Sequence, residues 1–308
     1  MILKVKKIRI GIPRALLYYR YQILWKRFFE KLNCKVILSP TTNKDIVNIG
    51  VSNSVDESCL SSKIYLGHVL YLQDKCDYIL IPRISDYGKG EKVCVRFNGL
   101  YDNIKNMNLT CKLLDYNIEY SKLHFEFIEF LRIGLKLSKN IFKVIYSYIF
   151  AKYKEKKHRL SLENEQVNTT KNNNKKVLIV SHPYNINDKY LGTYIIDYLT
   201  KNNISILYAD RLNRKISRNY AYSLSNTLYW TYAKEQIGAI EYYKNIFSGI
   251  IFISTYPCGI DSLVNELMLK KITNIPTLNI ILDEATKEIG LETRLESFLD
   301  IIKEEQND

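Results

Sequence analysis

The chain has 308 residues, 46% of them apolar, with 45 basic and 32 acidic side chains and a net charge of +13. That apolar fraction supports folded cores and excludes a wholly disordered chain, and the length predicts two domains or one large one. No run of about 18 uncharged apolar residues exists, so a transmembrane helix is not expected, and six dispersed cysteines read as reduced thiols or metal ligands rather than a disulfide scaffold.

The chain starts MILKVKKIRIGIP, which leads into a strand without a signal-peptide core, so a cytoplasmic location is expected. Ile8–Pro13 is a short strand ended by proline. Leu17, Tyr21, Leu24, Trp25, Phe28 and Leu32 then fall on one helical face. Lys35–Ser39 is the second strand, closed by Pro40, and this strand–helix–strand order predicts a parallel pair. In Val55–Val69, Asp56 and Ser58 are capping types and Cys59 falls near the first turn of a helix. Tyr78–Ile81 is a third strand, expected to end at Pro82. Cys94 lies in a short extended piece, Lys92–Gly99, beyond it. Glu119–Lys157 has the pattern of one or two amphipathic helices. Leu162–Lys176 is polar and of low complexity, which predicts a flexible linker.

The second half repeats the theme with strands at Val177–Val180, Ile204–Tyr208, Gly249–Thr255 and Thr277–Leu282. A last helix, Leu291–Ile302, buries Leu291, Leu295, Phe298, Leu299 and Ile302. The fold expected is α/β: two Rossmann-like, doubly wound parallel-sheet domains, 1–118 and 177–308. A helical insert (119–161) and a linker (162–176) lie between them. Pro13-Arg14, Arg83, His182, Cys258 and Asp283-Glu284 gather at strand carboxyl ends, the edge where open α/β sheets bind ligands.

The most informative stretch is Gly249–Asn265, GIIFISTYPCGIDSLVN. Proline cannot donate to a ladder, so the strand must stop by Pro257. Asp261 or Ser262 can cap the helix that follows. A thiol is thereby held on a sharp turn beside a helix N-terminus, which favours its thiolate form. Cys59, Cys94 and Cys258 stand in ligand-like places, and each is equally compatible with a small buried hydrophobe. Cys34, Cys76 and Cys111 lack such settings. There is no Cys-x-x-Cys pair for structural zinc and no Walker loop or complete dinucleotide fingerprint. His182 is a base, a ligand or a loop residue, and Asp283-Glu284 are candidate paired carboxylates.

Part of the positive charge is local. Eight Lys/Arg stand against three Glu between Lys152 and Lys176, and a second cluster holds Arg211, Arg214, Lys215 and Arg218. These basic stretches are either solvated surface or docking sites for an anionic partner or a phosphate-bearing ligand such as coenzyme A. Nucleic acid is not an expected partner, because no binding motif accompanies the charge.

The stretches IGIPRALLYYRYQILWKRFF, SPTTNKDIVNIG, DESCLSSKIYLGHV, ILIPRI, VSHPYNINDKY, LYWTYAKEQIGAI, STYPCGIDSLVNEL and LNIILDEATKEIGLETRLESF together resemble the acyl-CoA dehydratase activase-related family. That family is similar to the cluster-bearing subunits of 2-hydroxyacyl-CoA dehydratases. The resemblance implies a [4Fe–4S] cluster held by Cys59, Cys94 and Cys258, with one iron left open. It implies low-potential electron transfer from an ATP-dependent activator, with acyl-CoA as a further partner and homo- or hetero-oligomers left open. Two alternatives stand beside it: a non-catalytic accessory that docks an activator or dehydratase, and a cysteine enzyme with Cys258 as nucleophile. No membrane partner is expected.

Overall fold

The computed structural model describes residues 7–284 and 290–304. The first residues of the expected 1–118 domain lie outside the described residues, and so does the Ala285–Ile289 part of the family-like stretch after Asp283. The chain forms two compact units: Met1–Val55 with Ser62–Arg159, and Asp56–Ser61 with Leu160–Asp308.

The elements of the first half are β1 (Arg9–Ile12), α1 (Tyr18–Lys31), β2 (Lys35–Leu38), α2 (Lys44–Ser52), α3 (Leu60–Leu72), β3 (Tyr78–Asp86), α4 (Val95–Lys105), β4 (Lys112–Glu119), α5 (Glu126–Leu137) and α6 (Ile141–Lys171). Those of the second half are β5 (Lys176–Val180), α7 (Pro183–Ile186), α8 (Thr193–Lys201), β6 (Ser205–Tyr208), α9 (Arg214–Leu224), α10 (Thr231–Tyr243), β7 (Gly249–Thr255), α11 (Gly259–Lys271), β8 (Thr277–Leu282) and α12 (Leu291–Glu304). The strands make two four-stranded sheets, ordered β2-β1-β3-β4 and β6-β5-β7-β8. All the pairings between these strands are parallel. The two sheets therefore repeat one doubly wound topology, as the sequence pattern predicted. The order reverses between β1 and β3 and again between β5 and β7, which are the positions where such sheets open a crevice.

The apolar patterns place the cores. On α1 and its caps, Leu17, Tyr21, Leu24, Trp25, Phe28 and Leu32 are all buried, and Trp25 and Phe28 meet Tyr116 and Phe130 edge to face. Every residue of β7 is buried, as a strand between two neighbours with helices on both faces requires. In the first unit α2 and α3 cross closely: a Cβ on Gly50 would stand 1.9 Å from the Lys63 carbonyl oxygen.

Four local expectations change. β3 runs through Pro82 to Asp86; its pairing with β1 covers only Tyr78 and Ile79, so Pro82 lies where the strand is paired on one side and a missing N–H is tolerated. β4 was not expected, although in KLLDYNIE the buried Leu114, Tyr116 and Ile118 alternate with the less buried Asp115 and Asn117, which is the period-2 pattern of a half-buried strand. The extended piece expected around Cys94 is a helix from Val95 onward. Finally, the polar run from Leu162 is not a linker up to Lys171, because α6 is continuous there. Gln166 on that stretch is buried; its Nε2 donates to the Tyr208 carbonyl at 2.7 Å, and its Oε1 accepts from the Tyr208 N–H at 3.1 Å.

His68 on α3 is completely buried, with its Nε2 3.0 Å from Thr42 Oγ1. Burial, assisted by the nearby Arg14 charge, lowers its pKa to about 3. Between that value and the unfolded-state value of about 6.5, the unfolded chain carries a proton that the folded chain does not. Stability from this group is therefore complete above pH ~6.5 and falls as pH drops, by about 1.4 kcal/mol per pH unit. In urea titrations of a Trp230→Phe background, followed by Trp25 fluorescence, His68→Gln should flatten the pH dependence across this window. An unchanged slope would contradict a buried neutral imidazole.

Candidate functional site

In the second unit, the carboxyl ends of β5 and β7 flank the point where strand order reverses. β7 ends at Thr255, the Tyr256–Pro257 peptide is cis, and Cys258 is the N-cap residue of α11 with extended backbone. The helix thus starts at Gly259, three residues earlier than capping by Asp261 would require. Asp261 lies in its first turn, buried, and accepts at 3.0 Å from His182 Nε2 at the end of β5. A carboxylate only accepts, so Nε2 carries the proton. The His182 ring stacks on Tyr184, with centroids 4.8 Å apart, and meets Tyr232 edge-on. His182 is therefore the loop residue that precedes α7, as expected, with its ring oriented and packed.

The segment Asp56–Ser61 comes from the first half of the sequence but belongs to this second unit. The Leu60 N–H donates to the Tyr256 carbonyl at 2.9 Å. Ser61 Oγ donates to Asn185 Oδ1 at 2.9 Å and lies 3.1 Å from Thr255 Oγ1. Asn185 Nδ2 reaches Ser181 Oγ at 3.4 Å, and Ser181 Oγ donates to the Ile253 carbonyl at 2.5 Å. Ser61, Ser181, Asn185 and Thr255 are all buried, so this is a satisfied polar network of the kind that fixes a single geometry. Its consequence is that the turn bearing Cys59 and the turn bearing Cys258 meet at one strand end.

Cys94 lies in the first unit, as the N-cap residue of α4. Cys59 directly precedes α3, so all three cysteines expected as ligands stand immediately before a helix, and all are partly exposed. Cys34 and Cys111 directly precede β2 and β4, and Cys76 comes two residues before β3. Those three mark the amino edge of the first sheet. Among the described residues, no group of three or more His, Cys, Asp or Glu side chains is arranged to hold a metal ion.

The remaining sequence candidates are dispersed. The Arg14 N–H donates to Ser39 Oγ, and Arg83 pairs with Asp102 at 2.5 Å. Asp283 borders a cleft of about 360 Å³ that Lys189, Tyr190, Tyr194 and Asp197 also line. Ser61, Asn185 and Thr255 were not singled out from sequence. Their types were visible in DESCLSS, SHPYNIN and IST, but hydroxyls and amides far apart in sequence carry no spacing signal. Asp261 was read as a cap, and its pairing with His182 joins two strand ends that only the sheet order brings together.

Residues 9–212, about two thirds of the chain, match the model of a family described as the CoA enzyme activase uncharacterised domain (DUF2229). The chain belongs to that family. The match includes Cys59, Cys94 and His182 and stops before the Cys258 turn. Membership in this family connects the chain to the CoA enzyme activases, the coarser part of what the sequence resemblance implied. No curated protein matches the chain. Among solved structures, a Zn(II)-bound AdcAII mutant variant of Streptococcus pneumoniae is 12% identical, covering 97% of this chain and 99% of its own at a TM-score of 0.29. ZnuA is 10% identical, with coverages of 97% and 99% and a TM-score of 0.27. At such scores neither similarity carries weight, and the fold of this family member rests on its own strand order. Among the described residues no helix is long and apolar enough to cross a membrane.

Ser61→Ala would leave Asn185 Oδ1 and the Thr255 hydroxyl buried with a partner missing. Such a loss costs about 1–3 kcal/mol. Chemical denaturation followed by Trp230 fluorescence should show a decrease of that size, together with faster alkylation of Cys59 in the native chain. A stability unchanged within about 0.5 kcal/mol, the range of ordinary surface substitutions, would show that the network does not hold the Cys59 segment.

Proposed function

We propose that this chain is an iron–sulfur protein of the 2-hydroxyacyl-CoA dehydratase–activase system. In this reading Cys59, Cys94 and Cys258 hold a [4Fe–4S] cluster, and the chain accepts low-potential electrons from an ATP-dependent activator. The observation that carries the reading is the placement of these cysteines: each directly precedes a helix, and two of them stand on turns joined by the Leu60–Tyr256 hydrogen bond. Family membership supports the link to CoA enzyme activases.

The donor chemistry fits. Thiolates are the usual protein ligands of iron–sulfur clusters, and helix N-termini present unpaired N–H groups to anionic groups. When bound, such a cluster supplies one-electron chemistry. The task of the chain is to position the thiols and to tune and shield the site. The Ser61–Asn185–Thr255 network holds the Cys59 segment, and the His182–Asp261 pair braces the first turn of α11 behind Cys258. The buried His182, with Tyr184 and Tyr232 around it, packs the same strand end.

Anaerobic reconstitution with iron and sulfide should yield a brown protein with roughly four irons per chain, as expected of one cubane. Cys59→Ala, Cys94→Ala and Cys258→Ala should each lose most of the iron, whereas Cys111→Ala should retain it. Adding purified activator, reductant and ATP should then bleach the cluster absorption only when ATP is present. If the chain takes up no iron, the cluster reading fails, and the chain acts as a cluster-free accessory that docks an activator or dehydratase.

A further inference from the structure

Cys76 and Cys111, absent from the candidate site, lie together at the amino edge of the first sheet. β3 and β4 pair in parallel with Tyr78 opposite Lys112, and the Lys112 N–H donates to the Asp77 carbonyl at 3.2 Å. The two cysteines thus lead into adjacent strands about 4.8 Å apart, with Cys111 opposite Asp77 and Cys76 one residue, about 3.3 Å, further back along its strand. A disulfide spans Cα separations of roughly 4.4–6.8 Å. Thr110 ties the approaching turns together, because its Oγ1 is 2.8 Å from Asp74 Oδ1 and 3.1 Å from the Gln73 carbonyl. Cys76 is buried and Cys111 is partly exposed. The Cys76 S–H donates to the Leu72 carbonyl at 3.2 Å. A Cβ on Gly11 would come within 2.7 Å of Cys76 Sγ, so the adjoining strand fixes this thiol tightly.

We infer that Cys76 and Cys111 form a dithiol oxidation site, in which the accessible Cys111 reacts with a hydroperoxide and the buried Cys76 resolves it into a disulfide. The neighbouring Cys76 side chain lowers the Cys111 pKa, while the nearby Cys111 sulfur and burial raise that of Cys76. This asymmetry matches an attacking thiolate and a waiting thiol. In the first step the Cys111 sulfur attacks a peroxide oxygen. The O–O bond breaks, Cys111 becomes a sulfenic acid, and the leaving oxygen takes up a proton as water or an alcohol. In the second, the Cys76 sulfur attacks the Cys111 sulfur, the S–S bond forms, the S–O bond breaks, and hydroxide leaves as water with the Cys76 proton. Two thiols are oxidised by two electrons and one peroxide is reduced.

The test is to treat the reduced full-length chain with hydrogen peroxide, block the remaining thiols with N-ethylmaleimide, and map disulfides by mass spectrometry without reduction. The expected result is a peptide pair linked through Cys76 and Cys111 as the main product. In Cys76→Ser, Cys111 should stop at a sulfenic acid that dimedone traps, and in Cys111→Ser, Cys76 should stay a free thiol. Cys111→Ser changes a partly exposed side chain, so it remains informative should Cys76→Ser fold poorly. A main product linking other cysteines, or a wild-type Cys111 that oxidises without joining Cys76, would overturn the assignment. Iron reconstitution is not involved, so the outcome is independent of the cluster proposal.

Discussion

One backbone hydrogen bond, from the Leu60 N–H to the Tyr256 carbonyl, governs what the candidate site can be. It holds a six-residue segment of the first half in the second unit. Without it Cys59 and Cys258, separated by about two thirds of the chain, would have no reason to meet. A lone hydrogen bond contributes only about 1 kcal/mol net. The buried network of Ser61, Asn185, Thr255 and Ser181 makes the arrangement specific, because each of these groups would be costly to leave unpaired once water is excluded. The site is therefore built from ordinary polar residues, with the cysteines carried at their ends.

The six thiols fall into two sets by position in the α/β repeat. Cys59, Cys94 and Cys258 precede helices, and Cys34, Cys76 and Cys111 precede strands. In a parallel α/β unit helices begin beyond the carboxyl ends of strands and strands begin at the amino edge, so these positions are the two opposite rims of a sheet. The helix-preceding set lies on the rim where helices begin. The strand-preceding set lies where connections are tight and thiols pack against backbone, as Cys76 does against Gly11.

Much of the fold was legible because its signals are local. The fully buried β7, with its run Ile250–Ile253, the one-sided helix α1 and the buried face of α12 follow directly from the patterns of their sequences. The failures have local causes too. β4 carries a period-2 alternation from Leu114 to Ile118 that went unassigned, and Pro82 was read as a strand end because its one-sided pairing depends on where β1 stops. The end of α6 looked like a linker because its apolar content is low; what orders it is Gln166 gripping the Tyr208 backbone, a long-range contact that periodicity cannot encode. The candidate site was legible in its thiols and in the Tyr256–Gly259 turn. The pairing of His182 with Asp261 and the docking of Ser61 were not, since both need the sheet order.

The most direct test of the central claim, that the Cys59 and Cys258 turns form one site, is chemical bridging of their thiols in the folded chain. The measurement is treatment of the reduced, iron-free Cys111→Ser protein with dibromobimane, followed by peptide mapping. The account predicts that the major bridged product joins the Cys59 and Cys258 peptides. Separate single-site labelling of Cys59 and Cys258, with no bridged product between them, would contradict it.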